Sequence, residues 1–226
     1  MKNILIVAAH PDDEILGCGA TVAKLKKESG CHIFSLILGE GATSRNDTRD
    51  ALVKPKEVSQ LSKQCLKANK LIGVEKVFKH DLPDQRFDSV DILDIVKIIE
   101  KCIKEVGPDT IFTHYENDIN IDHKLTFLAV MAATRPMPTN LVKNVYSFEV
   151  LSSTEWSYPL SFSPNTFFDV TNYFDIKLQA LKAYSSELRS FPHPRSLKGV
   201  RLNASNWGLK TGLGLVEAFA CIRSFK

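Results

Sequence analysis

Two short clusters in this 226-residue chain combine histidine with acidic or amide side chains: His10-Pro11-Asp12-Asp13-Glu14 and Asn120-Ile121-Asp122-His123. Imidazole and carboxylate suit a divalent metal, and two His with one Asp make a facial site with positions open for water and substrate. His10 and Asp13, at i and i+3, can converge where a strand bends into a helix. His123 would complete the set from the second cluster. Asp12 is then a free carboxylate, placed to take a proton from a water molecule that the metal has acidified. On spacing alone a plainer reading stays open, in which Asp12, Asp13 and Glu14 only favour a helix N-terminus.

The clusters are over a hundred residues apart, so the fold has to join them. Residues 3–9 form a continuous apolar run, as expected of a strand buried on both faces. Further strands are expected at 32–38, 75–78, 110–113, 144–150, 166–170 and 218–222. Helical periodicity covers 17–29, 56–71, 91–104, 122–134 and 173–188, while 152–164 and 190–198 read as loops and 211–214 as a turn. This β-α-β-α order predicts an α/β, Rossmann-like, doubly wound and mostly parallel sheet with helices on both faces. In such sheets ligands bind beyond the carboxyl ends of the strands, where both clusters would lie. One domain over 1–226 is the simplest organisation. Its part from 151 to 226 is less regular, a candidate lid or oligomer interface.

Composition excludes several function classes. The chain has 29 basic and 26 acidic residues, a net +3 that is too slight to point to nucleic acid. No apolar run approaches the ~20 residues of a membrane-spanning helix. The N-terminal apolar stretch runs directly into His10 and reads as a buried strand, not a signal peptide, so a cytoplasmic location is expected. Five scattered cysteines without CxxC spacing predict reduced thiols and no thiolate metal site. Gly17 and Gly19 hint at a dinucleotide turn, but the third glycine is missing and the preceding acids would repel a pyrophosphate. Close packing of strand against helix is the better use for them.

Read together, the residues AAHPDDEILGCGATVAKL resemble the signature of the PIG-L/LmbE-type de-N-acetylases, zinc hydrolases acting on N-acetylglucosamine-containing substrates. The resemblance continues through GEGATSR at 39–45, LPDQRF at 82–87, NDINIDH at 117–123, HPRS at 193–196 and EAF at 217–219. It implies His10, Asp13 and His123 as ligands of one Zn2+ per chain, with Fe2+ the other ion to consider. It further implies Asp12 as general base and Arg45 as a substrate contact, since a guanidinium can grip oxygens bidentately. Arg86, His114 and Arg195 join Arg45 as candidate substrate-binding residues.

One departure matters. Better-known members carry a histidine where this chain has Asn120. An amide can donate a hydrogen bond to an oxyanion but cannot deliver a proton to a leaving amine. His193, beside Arg195 in a proline-braced loop, is then the candidate acid, unless Asp12 carries the proton both ways. His114 is the second candidate, or a residue that orients the ligands. Trp156 and Tyr158 offer aromatic faces suited to a pyranose ring, or to a hydrophobic plug or oligomer contact. The expected activity is hydrolysis of an acetamide on a small N-acetyl amino sugar conjugate, giving acetate and amine. The alternatives are a metal-dependent amidase with another N-acyl substrate and a non-catalytic sugar-binding protein on the same fold. A homo-oligomer is compatible with either.

Overall fold

NILIVA, apolar at every position after the first, forms the interior strand β1 (Asn3–Ala8), which is buried on both faces. The computed structural model describes residues 1–43, 55–137 and 142–226. Around β1 assemble β2 (His32–Gly39), β3 (Lys76–Leu82), β4 (Thr110–His114), β5 (Asn144–Phe148), β6 (Thr166–Asp169) and β7 (Val216–Ser224). The sheet order is β3-β2-β1-β4-β5-β7-β6. β1 through β5 are mutually parallel, whereas β7 runs antiparallel to both β5 and β6.

The helices are α1 (Asp13–Ser29), α2 (Pro55–Leu71), α3 (Ile92–Val106), α4 (Ile121–Ala133), α5 (Phe174–Ala183) and α6 (Leu197–Thr211). Alternation along β1 divides them. Ile4, Ile6 and Ala8 face a core built with α1, α2, α5 and α6, while Leu5, Val7 and Ala9 face α3 and α4. The expected doubly wound α/β sheet is therefore present. β1 and β4 are adjacent, and their connections leave toward opposite faces, which opens a crevice at their carboxyl ends.

The differences from the sequence reading have local causes. α6 fell in a stretch with no assigned element, because LKGVRLNASNWGLKT carries two glycines and two asparagines of poor helix propensity. Its buried stripe is only Val200, Ala204 and Gly208. The residues after 151 supply β6 and β7 to the same sheet as β1, and are more regular than expected. α5 ends at Ala183, short of 188. Among the described residues no helix is long and apolar enough to cross a membrane. All five cysteines are free.

α1 begins at Asp13, four residues before its expected start, and breaks at Cys18 (φ −142°, ψ 15°). The helical periodicity that begins at 17 is thus that of the second segment. The break is held by two buried side chains from later in the chain. Lys177 Nζ donates to the Leu16 carbonyl at 2.6 Å, and Glu217 accepts from the amides of Ala20 (3.2 Å) and Thr21 (2.6 Å). The Lys177 and Glu217 side chains meet at 2.6 Å. Gly17 lies at the same point, where an added Cβ would sit 2.3 Å from the Phe148 ring. Phe148 is fully buried and packs edge-on against His114, with ring centroids 5.0 Å apart. Gly17→Ala is expected to lower stability by about 1–3 kcal/mol through overpacking, read as a lower urea midpoint. An unchanged midpoint would show that Phe148 can yield without cost.

Candidate active site

Beyond β1 the chain makes a tight turn. Asp12 adopts φ +102°, a conformation that costs a non-glycine residue on the order of 1–3 kcal/mol. Glu14 Oε2 holds this turn by accepting from the Asp12 amide at 3.0 Å. Glu14 Oε1 in turn accepts from Tyr184 Oη (2.6 Å) and Asn69 Nδ2 (2.8 Å). Burial pushes the Glu14 carboxyl up to about 7. Asp13 and Glu14 do stand in the first turn of α1, but Asp12 and Asp13 do not cap it through their side chains. Asp13 Oδ2 accepts from the His10 amide and Asp12 Oδ2 from Arg195, so neither side chain bonds an amide inside α1 among the described residues.

The turn places Asp13 at the centre of an imidazole cluster. Its Oδ2 lies 3.5 Å from His10 Nδ1, 3.3 Å from His123 Nε2 and 3.6 Å from His114 Nε2. Burial alone would raise the Asp13 carboxyl, but His123 and His10 outweigh it and hold the group well below the usual carboxylate range. Burial likewise opposes charge on His10 and His123, and their acidic neighbours override it and raise both. Asp13 Oδ1 and both ring nitrogens of His123 are buried with no hydrogen-bond partner among the described residues, Nδ1 only facing the Asp118 carboxylate. Orphaned donor atoms of this kind, converging from two elements, are what a cation would satisfy.

Each outer ring nitrogen has its own carboxylate. His10 Nε2 lies 2.8 Å from Asp122 Oδ2, and His123 Nδ1 lies 3.1 Å from Asp118 Oδ2. Such partners fix the ring orientation and leave the inner nitrogen for a metal. Asp118 also accepts from Thr154 Oγ1 (2.6 Å), the Ser153 hydroxyl and the Asn120 amide (2.8 Å). Its carboxyl is held down at about 2, since His123 and these donors outweigh burial. Asp122 accepts from the amides of Gln85 (2.7 Å) and Phe87 (2.9 Å).

Two donor sets could hold a metal, His10-Asp13-His123 and His10-Asp84-Asp122. The first fits better, because both Asp122 oxygens are already committed to main-chain amides and His10. The site therefore suits one metal ion on the three residues expected from the sequence.

The metal-competent residues open into a polar cleft of about 190 Å³. Asp12 lies on its wall, with Oδ2 held by Arg195 Nη1 at 3.1 Å. Burial pushes the Asp12 carboxyl above its usual range, with Arg195 opposing. Arg195 lines the cleft as well and donates through Nε to the Leu151 carbonyl at 3.3 Å, so its guanidinium braces the Asp12 carboxylate. Asn120 lines the cleft and caps α4, its Oδ1 accepting from the Asp122 amide at 2.9 Å.

The other expected residues lie elsewhere. His114 is fully buried beneath the site, stacked on His123 at 3.9 Å between ring centroids, and has no surface for a substrate. Its Nε2 accepts from the Ala9 amide at 2.8 Å, and burial lowers its pKa well below the usual value, so the ring is neutral. That is the geometry of a residue that orients the ligands. Arg86 is engaged through its main chain, its carbonyl accepting from Ser89 Oγ at 2.7 Å, and it is absent from the cleft wall. His193 is also off the wall. Its Nδ1 accepts from the Arg195 amide at 3.1 Å, and its ring meets Trp156 edge-on. Trp156 is 44% and Tyr158 79% exposed. Arg45 lies outside the described residues.

Sequence reasoning did not single out Asp84, Asp118, Asp122, Glu187 or Arg189. Asp118 and Asp122 were within reach, since both fall in NDINIDH with His123.

The family model PIG-L, described as GlcNAc-PI de-N-acetylase, matches residues 5–134, more than half of the chain. The uncharacterized deacetylase YaiS of Escherichia coli is 30% identical over 191 residues, 82% of this chain and 91% of that protein. A probable N-acetyl-alpha-D-glucosaminyl L-malate deacetylase 2 of Bacillus cereus is 26% identical over 82% of this chain and 84% of that protein. The N,N'-diacetylchitobiose deacetylase structure from Pyrococcus horikoshii superposes with a TM-score of 0.77 at 19% identity, over 98% of this chain and 84% of that one. With more than half of its length matched by the family model and 82% by a relative at 30% identity, the chain belongs to the PIG-L family of de-N-acetylases.

Proposed function

We propose that the protein is a zinc-dependent hydrolase that removes the acetyl group from an N-acetylated amino sugar or its conjugate. The observation that carries this reading is the convergence of buried, unpartnered donor atoms of Asp13 and His123 with His10, opening beside the carboxylate of Asp12. The names of the relatives support the substrate class: one is named a probable N-acetyl-alpha-D-glucosaminyl L-malate deacetylase and another a diacetylchitobiose deacetylase.

Zinc held by His10, Asp13 and His123 would supply Lewis acidity to the acetyl carbonyl and to a water molecule. Asp12 accepts the proton of that water. Arg195 fixes Asp12 Oδ2, and Oδ1 has no partner among the described residues, so one oxygen is braced while the other works. The Nδ2 of Asn120 makes no hydrogen bond among the described residues; it is an amide donor on the cleft wall for the developing oxyanion. C–N cleavage requires a proton on the departing nitrogen. Asp12 has just gained one and faces the same cleft, so it returns it to the amine. The products are acetate and a free amino sugar. His193 acts indirectly, by holding the Arg195 main chain.

The test is amine release from a panel of N-acetyl-hexosamine conjugates by zinc-loaded protein. Asp12→Asn is expected to keep its zinc and lose about 10²–10⁴-fold in kcat, the usual contribution of a positioned base. Undiminished turnover by that variant would remove Asp12 from the role.

A further inference from the structure

The cleft wall carries a second guanidinium that the mechanism above does not use. Arg189 lies in the loop after α5, exposed, and lines the same cleft as His10, Asp12 and Asp13. Its Nη1 donates to the carbonyls of Ser186 (2.9 Å) and Leu188 (3.1 Å), so the head group is anchored on its own loop by one nitrogen. Nε and Nη2 make no hydrogen bond among the described residues. No carboxylate pairs with Arg189 there either, which sets it apart from Arg195, held by Asp12, and Arg201, held by Asp175.

A guanidinium already oriented by main-chain bonds loses little freedom when it meets an anion, and its planar fork matches carboxylate and phosphate oxygens. The cleft wall also carries the carboxylates of Asp84 and Glu187 beside those of Asp12 and Asp13. Against Arg189, Arg195 and a divalent cation these four acids leave the cleft near neutral, so the preference for an anion rests on the unbonded Nε and Nη2 edge of Arg189.

We infer that Arg189 is a specificity-determining residue that binds an acidic group, phosphate or carboxylate, carried by the amino sugar in addition to its acetamide. The inference rests on the deacetylase reading for the sugar and on Arg189 alone for the acid.

The experiment is calorimetric binding of probes to the zinc-loaded protein, in parallel with amine release. The probes are N-acetylglucosamine, its 1-phosphate, its 6-phosphate and a glycoside bearing a carboxylate on the anomeric substituent. At least one acidic probe is expected to bind about tenfold to a hundredfold more tightly than the neutral sugar, as for a charge-assisted contact, with the advantage shrinking as salt rises. Arg189→Gln should abolish that advantage and leave the neutral sugar within twofold, raising KM for the acidic substrate with little change in kcat. Arg189→Lys should retain part of it. The pair of phosphates against the carboxylate tells which acid is read.

Equal binding of acidic and neutral probes by the wild type overturns the inference, as does an equal loss for both in Arg189→Gln. An Arg189-dependent preference without amine release from any probe upholds the anion site and overturns the deacetylase reading. Amine release without an Arg189-dependent preference does the reverse.

Discussion

Asp13→Ala is expected to bind no metal and to release no measurable amine from any N-acetylated sugar, while still folding. Asp13 is the one donor that both histidines of the set approach, and no other carboxylate reaches His123 Nε2 among the described residues. Without it, two imidazoles remain, too few for an open catalytic metal site. Folding survives because α1 is secured by other means, among them the Glu14 network and the Lys177–Glu217 pair. The local cost is the His10 amide, which loses its acceptor at a price of about 1–3 kcal/mol. Metal content by elemental analysis and melting with and without added zinc give the readouts. For the wild type, zinc at a hundred times its Kd should add about 2.7 kcal/mol of stability. The variant should gain nothing. Full metal occupancy in Asp13→Ala would overturn the ligand assignment, whatever its activity.

The three candidate ligands, which the fold brings together, were legible because their types are rare in apolar surroundings and each follows a strand end or opens a helix. His10 ends the first apolar run, and His123 follows a run that the periodicity marks as β4. What escaped detection depends on contacts between segments far apart in the chain. Asp122 serves His10, 112 residues away, and the amides of Gln85 and Phe87, so LPDQRF contributes its main chain and not the side chain of Arg86. No periodicity encodes that role. Arg195 illustrates the same limit. An arginine in a polar loop suggests a substrate contact, but only the fold shows that Asp12 stands within 3.1 Å of it. His114 misled for a related reason: a strand-end histidine can face the crevice or lie under it, and the Ala9 amide and the Phe148 ring decide for the latter.

Glu217→Gln is expected to destabilise the protein by about 3–5 kcal/mol, the cost of stranding one member of a buried ion pair. Lys177 and Glu217 are 4% and 5% exposed, and they join the two halves of a broken helix. The first segment ends with an unpaired Leu16 carbonyl, which takes the ammonium, and the second begins with the amides of Ala20 and Thr21, which take the carboxylate. The pair thus replaces the hydrogen bonds that the break at Cys18 removes. Glutamine can still accept from an amide but cannot neutralise Lys177, so the loss isolates the charge. Against a typical total of about 5–15 kcal/mol, that loss would lower the urea midpoint severely. Lys177→Met combined with Glu217→Gln removes both charges and should recover most of the stability, whereas independent roles would make the two losses add. The same break lets the first turn of α1 carry Asp13 and Glu14 into the site while the longer segment packs against α5. Metal affinity should therefore weaken in Glu217→Gln although Glu217 is no ligand, and recover in the double variant together with stability.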